Sequence, residues 1–271
     1  MKKLRKIMAL SLALVMVVSL LAACGGDKGG DDTKKVYAVE AGSAGEAVAK
    51  DNGWEYNSVD DMSKALMEVE AGTSDAAVID LLMAGAMIGE GTSYPDMAVT
   101  DSLVDEFYGI GCRKDSDLVG AINQVLYEAY TDGTMAELAE KYKVRTDTLV
   151  EQKSVDEPVI ADDGDVAYIK DKGELVVGTT IFAPMDFYAE DGKEMIGFDA
   201  DLAKLVAEKL GVKIRFQVID WNNKIFEVEG KGVDVLWNGM TLTDEVTNAL
   251  SCTNSYCKNA QVVVENTAAA E

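Results

Sequence analysis

The chain has 271 residues, enough for one sizeable core or two smaller ones. It carries 25 basic and 48 acidic residues, a formal net charge of −23, which excludes binding along a nucleic-acid backbone, a task that needs a basic face. It has no histidine, which excludes chemistry built on a histidine base and metal sites built on histidine ligands.

Lys2, Lys3, Arg5 and Lys6 precede an apolar run from Ile7 to Ala23. A positive start, an apolar stretch and small residues at the cut read as an export signal over residues 1–23. An uncleaved anchor is the competing reading, but the run is only marginally long enough to span a bilayer. The ending Leu21-Ala22-Ala23-Cys24 resembles a bacterial lipobox. That resemblance implies cleavage before Cys24, lipidation of Cys24 by diacylglycerol, and an extracytoplasmic, lipid-anchored location. Residues 24–35, rich in glycine and aspartate, read as a flexible tether.

Val36–Glu40 is expected as a strand, and Ser43 with Glu46 fits a capping box at a helix start. The next helix is expected from Ser58, with the apolar stripe Met62, Leu66 and Val69 and a stop at Gly72. Asp75–Asp80 reads as a short buried strand and Tyr108–Cys112 as another. Asp117–Tyr130 and Thr134–Tyr142 read as helices split at Asp132-Gly133. Residues 144–171 are mostly polar, with Pro158 inside, and read as a long connector between two halves.

In the second half, Glu174–Thr179 reads as a strand, Asp191-Gly192 as a turn, and Asp199–Leu210 as a helix ending at Gly211. Val212–Val218 is expected as a strand, 222–229 as a helix, and Val233–Trp237 and Val262–Val264 as strands. Residues 265–271 read as a tail. Cys112, Cys252 and Cys257 have no metal-ligand spacing, so neither a metal nor a cofactor is expected. For Cys252 and Cys257 two readings stay open, a disulfide or two free thiols.

The halves echo each other. Gly72-Thr73-Ser74-Asp75 leads into an apolar strand ending at Asp80, and Gly230-Lys231-Gly232-Val233-Asp234 leads into one ending at Asn238. Ligands of open α/β sheets bind outside the carboxyl ends of strands. Asp80 and Asn238 therefore either face each other across a cleft or simply close two strands.

Gly197-Phe198-Asp199-Ala200-Asp201-Leu202-Ala203 resembles the GFD-x-DLA signature of extracellular solute-binding proteins, family 3. Phe182-Ala183-Pro184-Met185-Asp186-Phe187, Asp220-Trp221 and Trp237-Asn238-Gly239-Met240-Thr241-Leu242-Thr243 resemble it too, as do Gly42-Ser43, Tyr108-Gly109-Ile110 and Asp132-Gly133-Thr134 in the other half. The resemblance implies an α/β, two-lobed, periplasmic-binding-protein-like fold of type II. The order of the halves is reversed from the family's, so the chain resembles a circular permutant. The implied organisation is a smaller lobe over 36–104, a larger one over 105–264, the connector 144–171 at the permutation, and crossings near Leu103–Phe107 and at Val264 and Val36.

Carried over residue by residue, the resemblance implies a ligand site at Asp80, Phe182, Trp221, Asn238, Gly239, Met240, Thr241, Ser43 and Ala44. Phe182 and Trp221 would flank the ligand, Asp80 would receive its ammonium, and Thr241 with the backbone near Gly239 would hold its head. Ser43 and Ala44 would offer a helix N-terminus to an anion. Val246 stands where the family has an arginine for the ligand carboxylate, which leaves no formal positive charge for that group. The ligand is then either an amino acid held by backbone N–H groups or an amine. The implied role is capture, not catalysis, by a monomer that serves an ABC permease and ATPase and reaches the membrane through its N-terminal lipid. The alternative is a sensor component for amines or amino acids with a separate signalling partner.

Overall fold

The structure, a computed structural model, describes residues 34–154 and 157–268. The export signal, Cys24, most of the tether and residues 269–271 lie outside it.

Ala76-Ala77-Val78-Ile79 has no polar alternation, the pattern of a strand covered on both faces. β3 (Ala76–Asp80) is buried at all its positions. β1 (Val36–Glu40) pairs with β3 in parallel, and β2 (Glu55–Val59) adds in parallel to the far side of β1. These three strands are one wing of a nine-stranded sheet. A second wing repeats the construction: β5 (Glu174–Thr179) lies between β8 (Lys213–Val218) and β9 (Val235–Thr241), parallel to both.

Two long strands join the wings. β4 (Met97–Cys112) and β11 (Cys257–Asn266) run antiparallel, from Met97 opposite Asn266 to Tyr108 opposite Cys257. β11 also pairs with β3, and β4 with β9. Register shifts at Gln261/Val262 and Val263/Val264 mark bulges, which bend a strand and increase its twist. β10 (Ser251–Cys252) extends the sheet beside β4, while β6 (Phe187–Tyr188) and β7 (Met195–Ile196) form a separate hairpin around Asp191-Gly192.

Helices cover the sheet. α1 (Ala44–Asp51) begins as its sequence predicts: Ser43 Oγ accepts the Glu46 N–H at 3.1 Å, and the Glu46 carboxylate accepts the Gly42 N–H at 2.9 Å. α2 (Met62–Ala71) starts four residues later than the expectation at Ser58. Ser58 lies in β2, and Asp61 is the cap, accepting the Lys64 N–H at 2.9 Å. α3 (Leu81–Met87), α4 (Leu118–Thr131) and α5 (Thr134–Lys141) follow. After the connector come α6 (Asp165–Lys172), α7 (Phe198–Leu210), α8 (Lys224–Glu229) and α9 (Asp244–Ala249). Among the described residues no helix is long and apolar enough to cross a membrane.

The connector is not a bare loop. Its last part is α6, which buries Val166 and Ile169 against the main core. The Asp117 carboxylate accepts the Ala161 and Val166 N–H groups at 3.1 and 3.0 Å. The Gln152 amide donates to the Ser255 carbonyl at 2.8 Å. At the opposite end of the sheet, Glu265 and Asn266 belong to β11 rather than to a tail. Lys35, just before β1, reaches Glu265 at 2.8 Å, so the beginning of the first strand and the end of the last lie side by side. Cys112, Cys252 and Cys257 are free thiols, which decides between the two readings of the last two.

Arg113 ties α6 to the sheet. Its Nε donates to Asp165 at 2.8 Å, and its Nη1 donates to the Val228 and Val233 carbonyls at 3.2 and 3.0 Å. Its Nη2 faces the buried Asp234 at 3.4 Å, which also accepts from Lys172 at 2.6 Å. Removing one partner of a buried ion pair leaves the other charge uncompensated. Arg113→Met is expected to lower unfolding stability by about 3 kcal/mol, at the low end of the range because Lys172 remains. Urea denaturation checks this.

Candidate functional site

The strand ends of both wings converge on one cavity of about 220 Å³. Glu40 ends β1, Asp80 ends β3, and Asn238, Gly239, Met240 and Thr241 form the last part of β9. Ser43 and Ala44 contribute from the start of α1, Trp221 and Lys224 from the turn into α8, and Val246 from α9. Adjacent parallel strands share one direction, so their carboxyl ends open on the same side and leave room there.

Eight of the nine residues expected at a ligand site line this cavity. Phe182 does not. It is 2% exposed and packs edge-on against Tyr108, with ring centroids 6.3 Å apart. It lies against Gly239, where φ is +56° and a Cβ would overlap the Phe182 ring. The tight loop 182–186, closed by Phe182 N–H to the Asp186 carbonyl at 2.7 Å, turns the ring inward. Phe182 is thus support beneath the cavity, and Trp221 is the aromatic wall.

Asp80 is buried, and its carboxylate accepts from the Tyr108 hydroxyl at 2.5 Å and from the Gln261 amide. The Gln261 amide also donates to Glu106 at 2.9 Å. Burial and the nearby Glu106 hold the Asp80 carboxyl well above the usual carboxylate range. Glu40 is 2% exposed, and burial raises its carboxyl to about 8. Asp244 and Glu245 add two more acids to the wall.

The cavity also holds a cation, contrary to the expectation drawn from Val246. Lys224 is 6% exposed, and its Nζ donates to the Gly42 carbonyl of the opposite wing at 2.7 Å. It lies 5.5 Å from the centre of the Trp221 ring, and burial lowers its pKa. The sequence holds a faint sign of it: Lys224 comes three residues after Trp221, a spacing that puts both on one side of a helical turn.

A buried network holds the floor. Asn238 Oδ1 accepts from the Thr180 N–H and hydroxyl at 2.9 and 2.6 Å, and Asn238 Nδ2 donates to Asp186 at 2.9 Å. Asp199 Oδ2 accepts the Gly239 N–H at 2.6 Å and the Tyr256 hydroxyl at 2.7 Å. Burial raises the Asp199 carboxyl to about 7, and burial with the charge of Asp199 pushes Asp186 well above its ordinary value.

Residues 175–270 match the family of bacterial extracellular solute-binding proteins, family 3. The L-cystine-binding protein TcyJ of Escherichia coli (strain K12) is 33% identical over 86 residues, covering 31% of this chain and 32% of that protein. The arginine-binding extracellular protein ArtP of Bacillus subtilis (strain 168) is 32% identical over 94 residues, covering 34% and 36%. A solved arginine-bound domain 1 from TmArgBP is 30% identical with a TM-score of 0.31, covering 35% of this chain and 84% of that one. The chain spans about a third of the length of the curated relatives it matches.

The buried acids set a pH signature for the empty protein. Glu40 moves from 4.5 to about 8 and Asp199 from 3.8 to about 7 on folding, so both bind a proton more tightly in the folded chain. Such groups favour the folded state fully below their unfolded values, and that advantage is lost as pH rises to the folded ones. The midpoint of thermal unfolding is expected to fall between about pH 5 and about pH 8. Scanning calorimetry of ligand-free protein checks this.

Proposed function

We propose, from the membership of residues 175–270 in family 3 of the bacterial extracellular solute-binding proteins, that this chain captures a small amino acid for an ABC importer. One observation carries the reading: a buried carboxylate, a buried ammonium and an indole ring share one small cavity at strand ends, as Asp80, Lys224 and Trp221. Asp80 receives the ammonium of the solute by a charge-assisted hydrogen bond. Lys224 supplies the cation for the solute carboxylate that Val246 does not supply. Trp221 gives rigid apolar area beside them.

Capture proceeds by closure of two lobes, 36–104 and 105–264, about the paired strands β4 and β11. Lys224 spans the two, since its contact with Gly42 links residues from either side. The reversed order of the halves is a circular permutation with the connector 144–171 at the junction. It is supported by the contact between Lys35 and Glu265, because permutation is tolerated where chain ends lie together on the surface. The protein works as a monomer, turns nothing over, and is held outside the cytoplasmic membrane by lipid on Cys24. A single diacyl modification provides two chains, enough for stable anchoring.

A saturating amino acid, at about 100 times its dissociation constant, should stabilise the fold by roughly 2.7 kcal/mol. Asp80→Asn should abolish that gain while the empty protein still melts cooperatively. Lys224→Met should weaken the amino acid at least about tenfold and leave its decarboxylated amine unaffected, the loss expected for one charged hydrogen bond. Equal binding of acid and amine by the unaltered protein would sink the role of Lys224. For export, fatty-acid labelling of cells should tag the protein, and Cys24→Ala should shed it into the medium.

A further inference from the structure

Among the described residues, Glu40 is the one acid of the cavity wall with a buried oxygen that nothing in the protein uses. Its Oε1 has no hydrogen-bond partner, although the side chain is almost wholly buried and lines the cavity. An unpaired buried acceptor is costly, and native proteins rarely keep one without a use. Asp80, by contrast, is already tied to Tyr108 and Gln261.

We propose that Glu40 receives a second cationic group of the solute, so that the site selects small organic dications over solutes with one ammonium. This rests on the preceding reading, in which Asp80 takes the first ammonium. The surroundings agree with it. Asp80 stands at the end of the neighbouring strand, and Asp244 and Glu245 face the same space, so acids outnumber Lys224 on the wall. The other charged groups that bear on Glu40 are Asp61 at the start of α2 and Lys224 on α8, with Thr180, the residue after β5, beside it. Lys224 donates to the Gly42 carbonyl and does not satisfy Glu40 Oε1. Trp221 adds an aromatic face for a cation.

The contact has a proton balance. In the empty cavity at neutral pH burial keeps Glu40 in its acid form. An arriving ammonium or guanidinium favours the carboxylate, so Glu40 ionises and one proton leaves to solvent. Capture of a dication below about pH 8 therefore releases a proton, and affinity rises with pH up to that point.

The test uses the full chain and four probes: L-lysine, L-norleucine, cadaverine and pentylamine. L-Lysine is expected to bind at least about tenfold more tightly than L-norleucine, which has the same carbon chain without the terminal ammonium. Calorimetry in two buffers of different ionisation enthalpy should show more proton release with L-lysine than with L-norleucine, because the raised Asp80 carboxyl gives up a proton to either and Glu40 only to L-lysine. Glu40→Gln should erase both differences and keep the affinity for L-norleucine. Cadaverine bound as well as L-lysine would assign the dication to diamines, and cadaverine bound far more weakly would assign it to basic amino acids. Either result supports the second cation site. L-Norleucine bound as tightly as L-lysine, or a Glu40→Gln protein that keeps the preference, overturns it and leaves the capture of amino acids standing. No binding of any of the four, with a normal melting transition, overturns the capture reading itself.

Discussion

The antiparallel pairing of β4 with β11 is the constraint on which the rest of the structure depends. The two strands pair with each other, and each also pairs with one wing, β11 with β3 over Gln261–Val264 and β4 with β9 over Tyr108–Cys112. The carboxyl ends of β1 and β3 meet that of β9 because this pair sets the offset between the wings. A one-residue slip would turn every side chain of a strand to its other face and dismantle both the core and the cavity wall. The bulges lie on β4, where Leu103 and Thr100 are the extra residues, and they bend that strand without breaking the ladder.

Charge in this protein is arranged against the cost of burial. Asp80, Glu106, Asp186 and Asp199 all lie inside, and among the described residues none of the four forms an ion pair. Hydrogen-bond donors take that place: the Tyr108 and Tyr256 hydroxyls, the Gln261 and Asn238 amides and the Gly239 N–H. Burial dominates, so these acids hold protons more tightly than acids in water do. The floor of the cavity is thus set by polar groups that specify one arrangement. Arg113, Lys172 and Asp234 perform a different task at the far end of the sheet, where full charges pair and pin the connector.

Much of the fold is legible in the order of residues along the chain. Unbroken apolar runs mark β3 and β5, since a strand buried on both faces has no polar alternation to confuse it. Ser43 with Glu46 marks the start of α1, and the spacing of Leu202, Leu205 and Val206 marks α7. Residues 97–107 of β4 are not legible because they are mostly exposed and mix polar with apolar residues without a clean alternation, and they are a strand only through pairing with β11. The end of β2, at Ser58, reads as the start of a helix for a similar reason: its burial is slight, and β1 alone holds it extended.

The site divides along the same line. Strand ends mark Asp80 and Asn238 from the sequence pattern, while the other residues expected at the cavity wall follow only from the resemblance to a family. Which aromatic ring faces the cavity, Trp221 and not Phe182, depends on how a loop turns against Gly239, a contact between residues far apart in the chain. The cation is the sharper case. Only folding brings Lys224 to the Gly42 carbonyl, 182 residues away, and only there does burial give its charge a role. Sequence determined which chemistry was available and which elements carried it. Tertiary structure decided which groups share one dry space, because burial and pairing arise only from contacts that chain order does not contain.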